Sequence, residues 1–340
     1  MPSILEQNIT IPGASPLFPD AHCIASGEVC QLTLGEGGMR DSPAALPEQV
    51  VNDVLTEINA ATSTSALIFS DAFNLTTTYF LIAGIAGVNP HVTTTGSVNF
   101  ARYAVQLDLQ MEFDSRQIPS NDTSGYFPQN ANFPDETNAI DYPGSIYGTE
   151  VFELNDNLKK RFVYIAGLQT LNDSAHAQAY RETYGYAPAN QPPAVIECDS
   201  GTSNVYWSGS TLGDAFSAYT TLLTNGSGLY CASQQEDNAI LEALLRADMM
   251  GSIDFSRIAL MRTASDFDRA PPTEDEVFHL LYAAQAGFGI SIDNIFIAGS
   301  AIVQDVLMYW EGTYLEGLRP GNYIGDAFDS LDYFIAPDIG

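Results

Sequence analysis

The stretch FSRIALMRTASDFDRAPP, Phe255–Pro272, decides how the chain is read. Its first half carries an apolar run, Ile258–Met261, suited to a buried strand. Its second half is charged: Arg262 and Arg269 bracket Asp266 and Asp268, and Pro271 and Pro272 close the segment. The chain has only 12 Lys plus Arg against 42 Asp plus Glu. Two of those scarce cations around two aspartates at a strand end need a physical reason.

Working outward, strands alternate with helices. TTYFLIAGIAGV, Thr77–Val88, reads as a buried strand ending in glycines, and Gly96–Phe113 as extended structure. Residues 114–148 form a long loop rich in Pro, Asn and Gly, of the kind that often serves or caps a site. Glu150–Leu168 has a helical pattern, AVIEC (Ala194–Cys198) reads as a strand, and Leu212–Leu223 as a helix. Glu236–Gly251 is an amphipathic helix with Ile240, Leu241, Leu244, Leu245 and Met249 on one stripe and Gly251 as its stop. Two helical stretches finish the chain, and residues 1–50 read as loop. The alternation predicts an α/β sandwich around one central sheet, as a single domain over 1–340.

In such sheets ligands bind beyond the carboxyl ends of strands, which is where Ser265-Asp266 falls. A partly desolvated carboxyl group there holds or delivers a proton near neutral pH. The competing expectation for Asp266 is a helix cap or a salt bridge to Arg262 or Arg269. Glu236 opens the amphipathic helix behind Gln234 and Gln235. It reads either as a carboxylate favoured by the helix dipole or as an acceptor for two adjacent sugar hydroxyls. Two glycine pairs, in GEGG (Gly35–Gly38) and GIAG (Gly84–Gly87), suit close backbone approach to a ligand. The four histidines have no metal-ligand spacing, so neither metal nor cofactor is expected.

The formal charge of -30 argues against nucleic acid and anionic membrane surfaces as partners. The apolar run Tyr79–Val88 is half the roughly 20 residues a spanning helix needs. Ile295–Trp310 is interrupted by Gln304 and Asp305 and reads as an amphipathic or buried helix. No direct membrane span is therefore expected, and no channel or carrier acting alone. The amino-terminal residues lack a charged-then-apolar signal peptide. Two features still point to the secretory route, giving a secreted or cell-surface protein. Asn-x-Ser/Thr sequons start at Asn8, Asn74, Asn121, Asn172 and Asn225. The four cysteines fit no zinc or redox motif: Cys23 and Cys30 can close a small loop, and Cys198 and Cys231 can bridge two segments.

Several long stretches together resemble the fungal purine nucleoside permease family. They are YFLIAGIAGVNPHV, GSVNFARYAVQLDLQMEFDSR, YGTEVFELN, YAPANQPP, CDSGTSNVYWSG, YTTLLTNGSGLYCASQQEDNAILEALLRA and LMRTASDFDRAPP, and the resemblance covers most of residues 7–335. That family looks related to the nucleoside phosphorylase and nucleosidase superfamily, which implies one α/β/α domain with a mixed central sheet. The resemblance implies purine nucleosides as ligands, for uptake or for cleavage of the N-glycosidic bond. It implies that Gln235-Glu236 takes the ribose, that Ser265-Asp266 meets the purine with Asp266 as its acid, and that Gly84, Gly87 and Asn204 line the substrate. Phosphorylases of the superfamily carry an arginine in the strand matching FLIAGIAG. Its absence here makes water the expected nucleophile rather than phosphate. Relative to the family, the chain starts after the first sheet strand, and Gly38–Thr56 is an insertion without counterpart. Uptake implies a membrane transporter as partner, and an oligomer is compatible with the resemblance. The alternative expectation is a catalytically inactive secreted glycoprotein on the same fold.

Overall fold

The computed structural model describes residues 7–24, 27–34, 56–132 and 141–339. The GEGG turn and nearly all of the Gly38–Thr56 insertion lie outside the described residues, as do residues 133–140 of the long loop. The chain gathers into two compact units, residues 1–78 with 235–254, and residues 79–234 with 255–340.

In the first unit, strands β1 (Gln7–Thr10), β2 (Asp20–Cys23) and β3 (Cys30–Leu32) pair antiparallel, where the sequence predicted loop. The alternation is too short to register as a pattern in single strands of four residues or fewer. A disulfide joins Cys23 of β2 to Cys30 of β3, which face each other in register. Ile11, Ala21 and Cys23 form a small core with Ala66 and Leu67. Those last two residues lie on helix α1 (Glu57–Ile68). Helix α5 (Asp237–Met249) packs along α1 and buries Ile240, Leu241, Leu244 and Leu245. Met249 departs from the predicted stripe and is exposed. It sits in the last turn, just before Gly251 takes a positive φ of 72° and ends the helix.

The second unit holds a nine-stranded mixed sheet. Its strands, in chain order, are β4 (Phe80–Val88), β5 (Val98–Ala101), β6 (Tyr103–Gln106), β9 (Val151–Glu153), β10 (Val195–Glu197), β11 (Asp199–Thr202), β12 (Tyr230–Gln234), β13 (Ile258–Phe267) and β14 (Gly325–Asp326). The lateral order is β10-β5-β13-β4-β12-β11-β6-β9-β14. A two-stranded hairpin inside the long loop pairs β7 (Met111–Glu112) with β8 (Tyr126–Phe127). β4 and β13 are parallel over nearly their whole length, whereas β12 runs antiparallel to β4 and β5 antiparallel to β13. The α/β class with a mixed central sheet expected from the sequence is the class observed.

Helices α2 (Asp156–Gly167) and α7 (Gly287–Met308) cover part of this sheet, and the core there joins Phe100, Met261, Leu158, Phe162, Ala298 and Ile302. Helix α4 (Ser210–Leu223) covers another part, with Trp207, Phe216, Tyr219 and Leu223 against Tyr103, Val105 and Tyr230. A third cluster, around Ala86, Val88, Ala264 and Phe267, contains the disulfide between Cys198 and Cys231. Two shorter helices, α3 (Ala175–Glu182) and α6 (Glu276–Tyr282), complete the unit.

Two expectations need correction here. The pattern over Glu150–Leu168 begins as strand β9, because Asn155 caps α2 by accepting from the N–H groups of Asn157 and Leu158. β13 does not stop before Ser265 but continues past a bulge at Ala264/Asp266 to Phe267, which pairs with Val88. Helix α7 is, by length and composition alone, apolar enough to cross a bilayer, because it starts at Gly287, ahead of Ile295, and Gln304 and Asp305 fall in its last turns. One side of α7 packs against β13, β4, β5 and α2.

Candidate functional site

The two arginines of the opening stretch have separate tasks. Arg269 is buried, and its Nε donates to Asp268 Oδ1 at 2.7 Å while its Nη1 donates to Asp214 Oδ1 at 2.7 Å. Asp268 also accepts from the Tyr230 hydroxyl at 3.0 Å. The guanidinium reaches this position because residue 213 of α4 is glycine: a Cβ there would lie 2.7 Å from Arg269 Cζ. Arg262, within β13, faces Asn99 on one neighbouring strand and Gly84 on the other. Asp268 is thus neutralised by a cation.

Asp266 is not. Its hydrogen-bond partners are two hydroxyl groups: Ser265 Oγ donates to Oδ1 at 2.6 Å, and the Tyr206 hydroxyl donates to Oδ2 at 3.0 Å. The salt bridge to Arg262 or Arg269 that the sequence allowed is not what holds it. Desolvation pushes the Asp266 carboxyl above the usual carboxylate range. The donated hydrogen bonds from Ser265 and Tyr206, and the charge of His279, oppose that rise without cancelling it. A half-buried carboxyl group in this setting retains a proton at higher pH than a free one, which is what a general acid needs.

The backbone around Asp266 is held from several sides. Asp266 pairs with Gly87 across the bulge, and a methyl at Gly87 would touch Asp266 Oδ2 at 3.5 Å, so glycine keeps that side of the carboxyl open. The next peptide is gripped at both ends. Phe267 N–H donates to Gln285 Oε1 at 2.8 Å, and His279 Nε2 lies 2.9 Å from the Phe267 carbonyl oxygen. With Nε2 donating there, His279 Nδ1 faces the Tyr180 hydroxyl at 2.7 Å, and that hydroxyl also reaches Glu274 at 2.9 Å. The first turn of α7 seats directly on Ser265, because a Cβ at Gly287 would meet the Ser265 carbonyl carbon at 2.8 Å.

The other expected site residues fall as follows. Gly84 lies in β4 beside Arg262. Asn204 is exposed in the turn after β11, where its N–H donates to Asp108 Oδ2 at 3.0 Å. Gln235 and Glu236 belong to the first unit. Glu236 is buried, its carbonyl accepts from Ile240 N–H, and its Oε2 accepts from Gln235 N–H at 3.2 Å. Its side chain makes no capping hydrogen bond to α5, so local helix capping does not account for the carboxylate. Gln234 is structural, donating to Ser200 and Thr202 hydroxyls. The five sequon asparagines are all exposed. Sequence reasoning missed Tyr206, His279 and Gln285, each brought to Asp266 or Phe267 from another segment with no local signal in the chain. A separate hollow of about 400 Å³, lined by Thr170, Leu171, Asn172, Asp293, Phe296 and Ile297, contains neither Asp266 nor any residue expected to line the substrate.

These features define a mixed α/β protein whose candidate site is an unneutralised carboxyl group at the end of a parallel strand pair. Residues 48–319 match the family model described as purine nucleoside permease. A purine nucleoside permease of Candida albicans is 41% identical over 339 residues, covering 98% of this chain and 77% of that protein. A probable purine nucleoside permease of Schizosaccharomyces pombe is 36% identical over 313 residues, covering 91% and 84%. The chain belongs to the purine nucleoside permease family. Among solved structures, the 5'-methylthioadenosine/S-adenosylhomocysteine nucleosidase of Neisseria meningitidis, in complex with methylthio-immucillin-A, aligns with a TM-score of 0.47 at 11% identity, over 89% of this chain and 91% of that one. The corresponding nucleosidase of Streptococcus pneumoniae, with 8-aminoadenine, gives 0.43 at 15% identity, over 88% and 92%.

Proposed function

We propose that this protein binds purine nucleosides, with Ser265-Asp266 meeting the purine, and that it cleaves the N-glycosidic bond by hydrolysis or hands the nucleoside on for uptake. The observation that carries this is the Asp266 carboxyl, bonded among the described residues by hydroxyl groups and shifted toward its protonated form. In cleavage, the bond between the sugar carbon and the purine nitrogen breaks and its electron pair goes to the base. A proton passes from Asp266 to the departing purine, and water adds to the sugar carbon and gives up a proton. Glu236 is proposed for the ribose hydroxyls, with Gln235, and Gly84, Gly87 and Asn204 for the substrate lining. β4 carries no cationic side chain, which favours water over phosphate.

The two disulfides and the five exposed sequons support passage through the secretory pathway. Uptake would then need a membrane transporter as partner. The test is incubation with a panel of purine nucleosides, with and without phosphate, following free base by chromatography and binding by calorimetry. Cleavage independent of phosphate and lost in Asp266→Asn is expected. Binding without release of base would reduce the function to capture for uptake. No heat with any purine nucleoside would end the proposal and leave an inactive glycoprotein.

A further inference from the structure

Tyr206 sits in the turn between β11 and α4, and the residue is 66% exposed. The turn is pinned on both sides of it. Before it, Ser203 Oγ donates to Asp108 Oδ2 at 3.0 Å and accepts from Val205 N–H at 3.1 Å. After it, Trp207 is buried against Phe216, Ser208 Oγ donates to Glu276 at 2.9 Å, and Gly209 N–H donates to the Asp268 carbonyl at 2.9 Å. The backbone is fixed while the residue is largely exposed, and among the described residues its side-chain hydroxyl bonds to Asp266 Oδ2. The other carboxyl oxygen is held by the neighbouring Ser265. Of the two oxygens, Oδ2 is the one whose partner can swing aside for a ring nitrogen.

We propose that Tyr206 is a displaceable gate on this site: its hydroxyl stands in for the base, and a purine nucleoside enters by taking its place on Asp266. This rests on the nucleoside reading above. Displacement needs only rotation about the side-chain bonds of an exposed residue, a fast motion that leaves the pinned turn intact. It also changes the carboxyl group. A hydroxyl that donates to the ionised form favours that form, so its departure shifts Asp266 toward the protonated form as the purine arrives. Opening the site and arming the acid are then one event.

The test compares wild type with Tyr206→Phe, which removes only the hydroxyl, using adenosine and inosine in calorimetry and [13C]-tyrosine-labelled protein in NMR. Without the competing bond, Tyr206→Phe should bind nucleoside about three- to tenfold more tightly. In wild type the Tyr206 ring signal should move on saturation, to the position it takes in ligand-free Asp266→Asn. Nucleoside binding to wild type with an unmoved Tyr206 signal, or binding to Tyr206→Phe that is equal or weaker, overturns the gate and leaves the nucleoside reading standing. Binding to Tyr206→Phe alone supports the gate strongly. Absence of binding to both proteins removes the nucleoside reading and the gate with it.

Discussion

Gly213→Ala sets two effects of opposite sign against each other. Gly213 lies inside α4, where alanine is favoured over glycine by about 1 kcal/mol. Helix propensity alone therefore predicts a more stable protein. The structure predicts the reverse, because the new Cβ would lie 2.7 Å from Arg269 Cζ and closer still to Nη2. That conflict is with the end of a side chain, so it is relieved by moving the guanidinium rather than the backbone. Moving it breaks the pair with Asp268, and both partners are buried, with side-chain exposures of 3% and 2%. Breaking a buried pair costs about 3–5 kcal/mol, because it strands an uncompensated charge. The contact with Asp214 adds little, since that carboxylate is exposed. The net expectation is a loss of about 2–4 kcal/mol, read as a fall in melting temperature of about 3–6 °C. Urea unfolding of Gly213→Ala, Asp268→Asn and the double variant checks the cause. In the Asp268→Asn background the alanine should cost much less, because the buried carboxylate that would lose its partner is already gone. A melting temperature for Gly213→Ala at or above wild type would refute the claim that Arg269 is locked in place by Asp268.

The other predictions concern the carboxyl group, its platform and the bridge beneath it. Asp266 has a folded pKa raised above its unfolded value of about 3.9. Its contribution is thus fully present below that pH and is lost as pH rises through the folded value. Asp266→Asn should therefore be more stable than wild type at pH 7, by scanning calorimetry, and the gain should vanish below about pH 4. Gly287→Ala should lower both stability and nucleoside affinity by pushing α7 off Ser265, whereas Gly289→Ala, whose Cβ meets nothing within 4 Å, should be neutral or stabilising. Replacing Cys198 and Cys231 by serine together opens a loop of 33 residues in sequence separation and should cost about 3–4 kcal/mol in chemical denaturation.

The legible parts of the sequence were those where one local pattern sufficed. The apolar runs of β4 and β13, the stripe of α5, the pairing of the cysteines and the α/β class all follow from periodicity or spacing, whereas the mixed sheet was implied only by the family resemblance. The short strands were not legible: β1 to β3 and β9 span three or four residues each, too few for alternation to show. The partners of Asp266 were also hidden. Tyr206 lies 60 residues before it in the chain, and the Phe267 peptide is clamped by Gln285, 18 residues after it. Such contacts depend on which strands become neighbours, and β5 and β6, adjacent in sequence, end up with four strands between them in the sheet.

Asp266 and Asp268 show why the fold makes one carboxylate useful and the other inert. They are two residues apart at the end of β13, and desolvation raises both. The difference lies in what surrounds each. Asp268 meets a guanidinium that can approach only because position 213 has no side chain, and the resulting pair is buried and closed to solvent. Asp266 meets hydroxyls, one of them on an exposed and movable side chain, and its strand neighbour Gly87 leaves one side of it open. Hydroxyl groups stabilise a carboxylate less than a cation does, and they can accept as well as donate. They therefore accommodate both protonation states, which a guanidinium does not. The scarce arginine beside Asp268 removes the nearer aspartate from competition and leaves a single proton-holding group facing outward. If that division of labour holds, Asp268→Asn should change stability far more than nucleoside affinity, and Asp266→Asn the reverse.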